Sequence, residues 1–267
     1  MSLQVVGVTV RSLKEIEYAD TSHFELNVGE KVIVETNHGL EYGTVCEKEK
    51  VVEARSKDFS KIVRKLSEFD KKRIERNEQK NAQTRIKVIQ SVAKHNLDMK
   101  LTAVEYTFDR SKLFVYYTSE SRVDFRELIK DLGHDLKTRI QMVQIGMRDN
   151  AKIVGGIGTC GQTICCKTFL KDFTPVTIEM AKEQDLSLNS SKLVGLCERL
   201  MCCIAYESDY YAKVKKELPD IGTIILTPGG KAKLVAIDCI KLIVTVDIGN
   251  RTFKNYTVEE IKKGNPK

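Results

Sequence analysis

Six of the eight cysteines in this 267-residue chain lie in one stretch, in two copies of a single pattern. Gly158-Thr-Cys160-Gly-Gln-Thr-Ile-Cys165-Cys166 is followed by Gly195-Leu-Cys197-Glu-Arg-Leu-Met-Cys202-Cys203, each reading G-x-C-x4-C-C with its glycine in phase. Elsewhere only Cys46 and Cys239 occur. Core packing gives no reason for two adjacent pairs, because neighbours on a helix point about 100° apart and one face cannot bury both. Two neighbouring thiolates can instead serve two metal centres. The packing alternative rests on Leu193, Cys197, Leu200 and Ile204, which recur at helical spacing behind Ser190 or Ser191 as N-cap. It makes Leu193 to Tyr206 one helix and Cys197 a small buried hydrophobe.

The compartment decides what clustered thiols do. The chain has no apolar run near about 18 residues, and Met-Ser-Leu-Gln-Val-Val-Gly-Val at its start lacks the basic region and apolar block of a signal peptide. A cytoplasmic location is expected. In reducing cytosol, clustered cysteines more often ligate metal or carry out redox chemistry than form structural disulfides. A thiol oxidoreductase would want C-x-x-C beside a strand-helix unit, which is absent. Structural zinc usually takes C-x2-4-C knuckles, often with histidine, and none of His23, His38, His95 and His134 falls in the stretch. All-thiolate sets with C-x4-C spacing suit iron-sulfur clusters. Spacing favours iron-sulfur and leaves zinc open.

The run Val154-Gly-Gly-Ile-Gly-Thr-Cys-Gly-Gln-Thr-Ile-Cys-Cys166, with Lys192-Leu-Val-Gly-Leu-Cys-Glu-Arg-Leu-Met-Cys-Cys203 after it, resembles the RicT or YaaT family, bacterial stage 0 sporulation proteins built on the PSP C-terminal domain. The resemblance extends over nearly the whole chain. It implies a cytoplasmic regulatory protein that assembles with two small helical partners, RicA and RicF. The assembly would carry two 4Fe-4S clusters and act with the membrane-anchored ribonuclease Y in messenger RNA maturation, with effects on sporulation, competence and biofilm development. On this reading Cys160, Cys165, Cys166, Cys197, Cys202 and Cys203 are the cluster ligands. Two clusters want about eight protein ligands, so partners would supply the remainder. No catalytic constellation is recognisable, and a non-enzymatic adaptor is expected. The alternative is a direct RNA-binding module with a structural zinc-thiolate site.

The remaining sequence predicts an α+β protein of two or three compact units. A formal charge of +7 permits a nucleic-acid or acidic partner without demanding one. Residues 1–55 read as strands. Val6, Val8 and Val10 alternate, and Lys31 to Thr36 leads through Asn37-His-Gly39 into Leu40 to Val45 as a hairpin. Gly222 to Ile237 repeats strand, Gly-rich turn and strand, within a C-terminal β region at 212–267. Two pieces too small to bury a core alone are expected to share a barrel-like sheet. Cys46 and Cys239 lie in or just after these strands and are read as structural.

Residues 56–97 read as helical, with Phe59, Ile62, Val63, Leu66 and Phe69 as one apolar stripe and Ile86, Ile89 and Val92 as another. The polar stretch Lys71 to Arg85 between them is either a solvated helical arm, or two helices joined by a turn, or a basic face for RNA phosphates or an acidic partner, and its lack of aromatics does not suggest base stacking there. Lys100 to Phe108 and Leu113 to Thr118 form a hairpin. Asp124 caps a helix ending at Gly133, and Arg139 to Ile145 is a strand. This order within 56–150 suggests a ferredoxin-like layer. Tyr106, Tyr116 and Tyr117 could stack RNA bases on such a sheet, but the RNP signature is absent and half of alternating strand residues face a core. His134 and Asp135 read as a polar helix end, and Gly155-Gly-Ile-Gly158 as backbone able to approach a cluster rather than a phosphate loop. The cysteine-rich module spans 151–211, with a short helix near Thr177 to Gln184, and the terminal Lys262 to Lys267 is expected to fray.

Overall fold

A computed structural model describes residues 2–264 except 14, 22, 23, 54–58, 250 and 251. His23 and residues 265–267 therefore lie outside the described residues, as does the start of the expected helical region at 56–58. The chain forms two compact units, residues 1–157 and 158–267.

The first unit opens with β1 (Ser2–Val10), β2 (Glu15–Asp20), β3 (Lys31–Thr36), β4 (Gly39–Val45), β5 (Lys50–Glu53) and β6 (Ser60–Lys65). β1, β2, β6, β3 and β4 pair in a ring that closes as β4 returns to β1, and β5 adds to β1 outside it. Closure follows from the alternation. Val6, Val8 and Val10 point inward with Val32, Val34, Val45, Ala19 and Ile62, and all are buried. At the crossing of β1 and β4, Gly43 permits the close approach, since a Cβ there would stand 2.8 Å from the Thr9 carbonyl oxygen. The β3–β4 hairpin has the expected register, with Thr36 opposite Gly39.

The expected helix from residue 56 is corrected by β6. Ile62 fills the barrel while Val63 is exposed, an alternation of period two that passes for a helical stripe in so short an apolar run. The helix α1 (Glu68–Lys94) starts after Ser67, whose hydroxyl and the Asp70 carboxylate form a reciprocal capping box. Its buried face consists of Asp70, Asn77, Thr84, Val88 and Val92, whereas Ile86 and Ile89 are 59% and 47% exposed. The stripe read from Ile86 and Ile89 was therefore on the wrong face. The polar inward residues are satisfied by the sheet beneath. Asn77 donates to the Thr107 and Phe108 carbonyls at 3.4 and 3.2 Å, and Asn81 accepts from the Tyr106 N–H at 3.0 Å. The Ser67-Glu-Phe-Asp70 signature marked the true start of this helix.

β7 (Lys100–Tyr106), β8 (Lys112–Thr118), α2 (Arg126–Leu136) and β9 (Arg139–Gln144) complete the layer, followed by α3 (Met147–Val154). β8 is central, antiparallel to β7 and parallel to β9. The sheet has three strands and so departs from the two-fold βαβ ferredoxin-like plan. α2 also differs from expectation. Its N-cap is Phe125, and it runs past Gly133 to a left-handed Lys137. Leu113 and Val115 face the core beneath α1 and α2, while Phe114 and Tyr116 pack with Leu13, Ile145 and Ile153 on the other face. A strand covered on both sides reads as a continuous apolar run. Tyr106, Tyr116 and Tyr117 are accordingly buried and unavailable for base stacking.

The second unit contains α4 (Cys165–Thr168), α5 (Ile178–Glu183), α6 (Ser190–Leu193), α7 (Cys202–Lys216), β10 (Ile224–Thr227), β11 (Gly230–Asp238), β12 (Ile243–Asp247), β13 (Phe253–Thr257) and α8 (Val258–Gly264). β10 to β13 form an antiparallel meander whose inner face packs Ile225, Leu234, Val244 and Val246 against Val214 of α7, Leu218 just after it, and Val258 and Ile261 of α8. This four-stranded sheet has its own core, and among the described residues none of its strands pairs with the N-terminal barrel, in place of the shared sheet expected from the two small β regions.

Candidate metal centre

The two cysteine copies fold into the same turn. In the first, the Gly158 N–H donates to the Gln162 carbonyl at 2.8 Å and the Gly161 N–H to the Gly158 carbonyl at 2.9 Å, and α4 begins at Cys165. In the second, the Gly195 N–H donates to the Arg199 carbonyl at 2.9 Å and the Glu198 N–H to the Gly195 carbonyl at 3.0 Å, and α7 begins at Cys202. Each turn passes through a left-handed residue, Gly161 at φ 80° and Glu198 at φ 58°. The repeated glycine, Gly158 or Gly195, closes each turn over its first sulfur. A Cβ on Gly158 would lie 3.5 Å from Cys160 Sγ, and one on Gly195 would lie 4.0 Å from Cys197 Sγ.

The single helix from Leu193 to Tyr206 is thus corrected. α6 ends at Leu193, Val194 bridges to Leu200, and Cys197 sits in the turn between, half-buried, rather than on the apolar face of a helix. The N-cap of α6 is Asn189, which accepts from the Ser191 N–H. The angular separation of Cys197 and Cys202 on one helix consequently does not apply. What the structure sets instead is a shared geometry: one thiol in the turn and two at the start of the following helix.

Contacts join the two copies. Thr159 Oγ1 donates to Met201 Sδ at 3.7 Å, and the Phe169 and Tyr206 rings meet edge to face at 5.2 Å. The connector folds back through α5, capped by Thr177, and packs Ala181 with Leu193 and Ile204. Gln184 Nε2 donates to the Ile204 carbonyl at 2.6 Å.

None of the eight cysteines is disulfide-bonded. Cys160 is exposed and the other five of the motif are half-buried, while Cys239 is a buried core residue. Cys46 lies against the barrel, its thiol donating to the Gly7 carbonyl at 3.4 Å. Burial pushes the Cys203 thiol above its ordinary value, and the neighbouring Cys165, Glu207 and Cys160 push it further. The rise at Cys203 is thus chiefly desolvation, with like charges beside it adding to it. A bound cation reverses that logic and deprotonates its thiols. The donor chemistry therefore fits a thiophilic metal or an iron-sulfur cluster. Among the described residues no group of three or more His, Cys, Asp or Glu is arranged to hold a metal ion. No helix of the described residues is long and apolar enough to cross a membrane.

The layer of α1, β7, β8, α2 and β9 coincides with a known conserved region, and the connector with α7 coincides with a second. Residues 60–145 match the PSP1 C-terminal conserved region, and residues 175–218 match the third domain of PSP1-like proteins. The fold and the cysteine unit thus define a PSP1-type α+β protein. Stage 0 sporulation protein YaaT of Bacillus subtilis is 45% identical to the chain over 260 residues, covering 96% of the chain and 94% of that protein. The chain belongs to the YaaT, or RicT, family. Protein PSP1 of Saccharomyces cerevisiae is 47% identical over 53 residues, 20% of the chain and 6% of the yeast protein. An uncharacterised protein of Schizosaccharomyces pombe is 35% identical over 85 residues, 32% of the chain and 11% of that protein. No solved structure matches the chain.

Proposed function

We propose that the chain is a non-enzymatic, cytoplasmic regulatory adaptor in sporulation whose paired cysteine turns supply thiolate ligands to 4Fe-4S clusters. Cys160, Cys165, Cys166, Cys197, Cys202 and Cys203 are the ligands, and RicA- and RicF-like partners complete the set. The assembly modulates ribonuclease Y-dependent maturation of messenger RNA, with effects on competence and biofilm formation. The observation that carries this reading is the pair of turns with the same backbone hydrogen bonds, each presenting one thiol and then two, joined through Thr159, Met201, Phe169 and Tyr206. Six thiols fall short of the roughly eight that two clusters take, which makes a shared ligand set the natural completion. Bound clusters would supply a thiolate-anchored cross-link between chains, and the turns would orient their sulfurs.

The test is anaerobic purification of the chain alone and with its partners, followed by iron and zinc counting. The reading expects the chain alone to hold iron poorly and the complex to hold it well. A full complement of stable clusters on the isolated chain would sink the shared set. Zinc alone restoring partner binding and RNA processing would establish the RNA-binding module with a zinc-thiolate site instead.

A further inference from the structure

A groove of about 290 Å³ lies at the N-terminal end of α1, far in sequence from the cysteines, and is lined by Phe69, Lys72, Arg73, Arg76 and Arg110. The first four recur at i, i+3, i+4 and i+7, which places them on one stripe of the helix. Arg110 arrives from the turn between β7 and β8. Its backbone is left-handed at φ 65°, a conformation that an arginine adopts at a cost and that surrounding structure must hold. The hold is the buried Asn77. Its amide nitrogen is committed to the Thr107 and Phe108 carbonyls, and its Oδ1 accepts from Arg110 Nε at 2.6 Å. Arg73 lies over the Phe108 ring at 4.7 Å, which fixes a second guanidinium.

The groove therefore holds four cations, two of them held by neutral groups, and among the described residues no acidic side chain lines it. Three acidic residues close to it in sequence are engaged elsewhere. Glu68 pairs with Lys71 at 2.5 Å, Asp70 with Arg64, and Asp109 accepts from Thr107 and Ser111. Among the described residues Lys72 and Arg76 have no ion-pair partner. Beside these cations Phe69 is 72% exposed, although nothing in the fold needs an aromatic ring in water there.

We infer that this groove binds a single-stranded nucleic acid, with Lys72, Arg73, Arg76 and Arg110 on phosphates and Phe69 stacked on an adjacent base. Uncompensated arginines match phosphate oxygens in geometry and charge, and a nucleotide places a flat base beside each phosphate for the exposed ring, whereas the carboxylates of an acidic peptide do not stack. The inference goes beyond the adaptor reading and does not depend on the cysteines.

The full-length chain is titrated against a fluorescent oligouridylate of about ten nucleotides and against the oligothymidylate of the same length, across a range of salt, the tighter of the two naming the source. Lys72→Glu/Arg76→Glu is expected to weaken binding at least about tenfold and to flatten the salt dependence. Phe69→Ala, at an exposed site that leaves the fold intact, is expected to weaken it about fivefold or more with the salt slope unchanged. Arg85→Glu/Lys87→Glu, exposed further along α1, makes the same change in net charge and is expected to have little effect. Equal losses in the two charge-reversed proteins would reduce the effect to bulk charge and overturn the proposal. So would full affinity in Phe69→Ala, undetectable binding by the unaltered chain, or displacement of the oligonucleotide by a polyglutamate peptide at equal concentration.

Discussion

Gly161 and Glu198 hold the same left-handed position in the two cysteine turns, and each donates its N–H to the glycine that opens its turn. Glycine adopts this backbone freely, whereas a residue with a Cβ does so at a cost of about 1–2 kcal/mol. Gly161→Val should therefore destabilise the first turn by about that amount or more. Glu198→Gly should leave the second turn at least as well formed. Hydrogen exchange at the Gly158 and Gly195 amides reads the two turns separately. Faster exchange at Gly195 in Glu198→Gly would show that the turns are not equivalent.

Serine in place of any one of the six motif cysteines should lower the iron content of the partner-bound complex and weaken assembly, because a hydroxyl does not replace a thiolate ligand. Cys46→Ser and Cys239→Ala should leave iron content unchanged, since Cys46 lies at the barrel and Cys239 is packed in the core of the second unit. Iron counting on each purified complex checks both halves.

Asp70 closes the capping box with Ser67 and takes a forked hydrogen bond from Arg64, one arm of it at 2.8 Å. The Arg64 guanidinium and the Ser67 donors hold its carboxyl well below the usual carboxylate range. A lowered value in the folded state contributes stability above the unfolded value and loses it as pH falls through the folded one. Asp70→Ala should cost about 2–3 kcal/mol at neutral pH, a cap and a charge-assisted pair together. That deficit should shrink below about pH 4. Hydrogen exchange in the first two turns of α1 measures it.

Glu41 has the opposite sign. It is 2% exposed inside β4, with Oε1 3.5 Å from Arg11 Nε. Burial pushes its carboxyl up to about 7 against the pull of Arg11, and Glu105, Asp109 and Glu17 add to the rise. The folded state then keeps a proton that the unfolded chain releases, so this group's contribution is complete below about pH 4.5 and is lost as pH rises to about 7. Between those limits the unaltered protein should lose on the order of 3 kcal/mol more than Glu41→Gln does. Exchange protection of β3 and β4 amides at the two pH values, corrected for intrinsic rates, gives the difference, and parallel profiles would refute it.

The sequence by itself determined what neighbouring residues encode. The duplicated G-x-C-x4-C-C pattern, the Asn37-His-Gly39 hairpin, the β7–β8 hairpin and the α5 helix each arise from turn chemistry or periodicity within a dozen residues, and the structure contains all of them. Only tertiary structure decided what lies across long separations. The inward face of α1 is polar because Asn77 and Asn81 meet backbone groups about 25 to 30 residues away, so hydrophobic spacing pointed to the wrong face. β6 became a strand because the barrel needed it between β2 and β3. Tyr116 is buried because layers cover both sides of β8, and Arg110 joins Arg76 because Asn77 holds it there. Local chemistry sets how each segment can bend, but burial and charge neighbours depend on which distant segments arrive, and no short stretch of sequence carries that information.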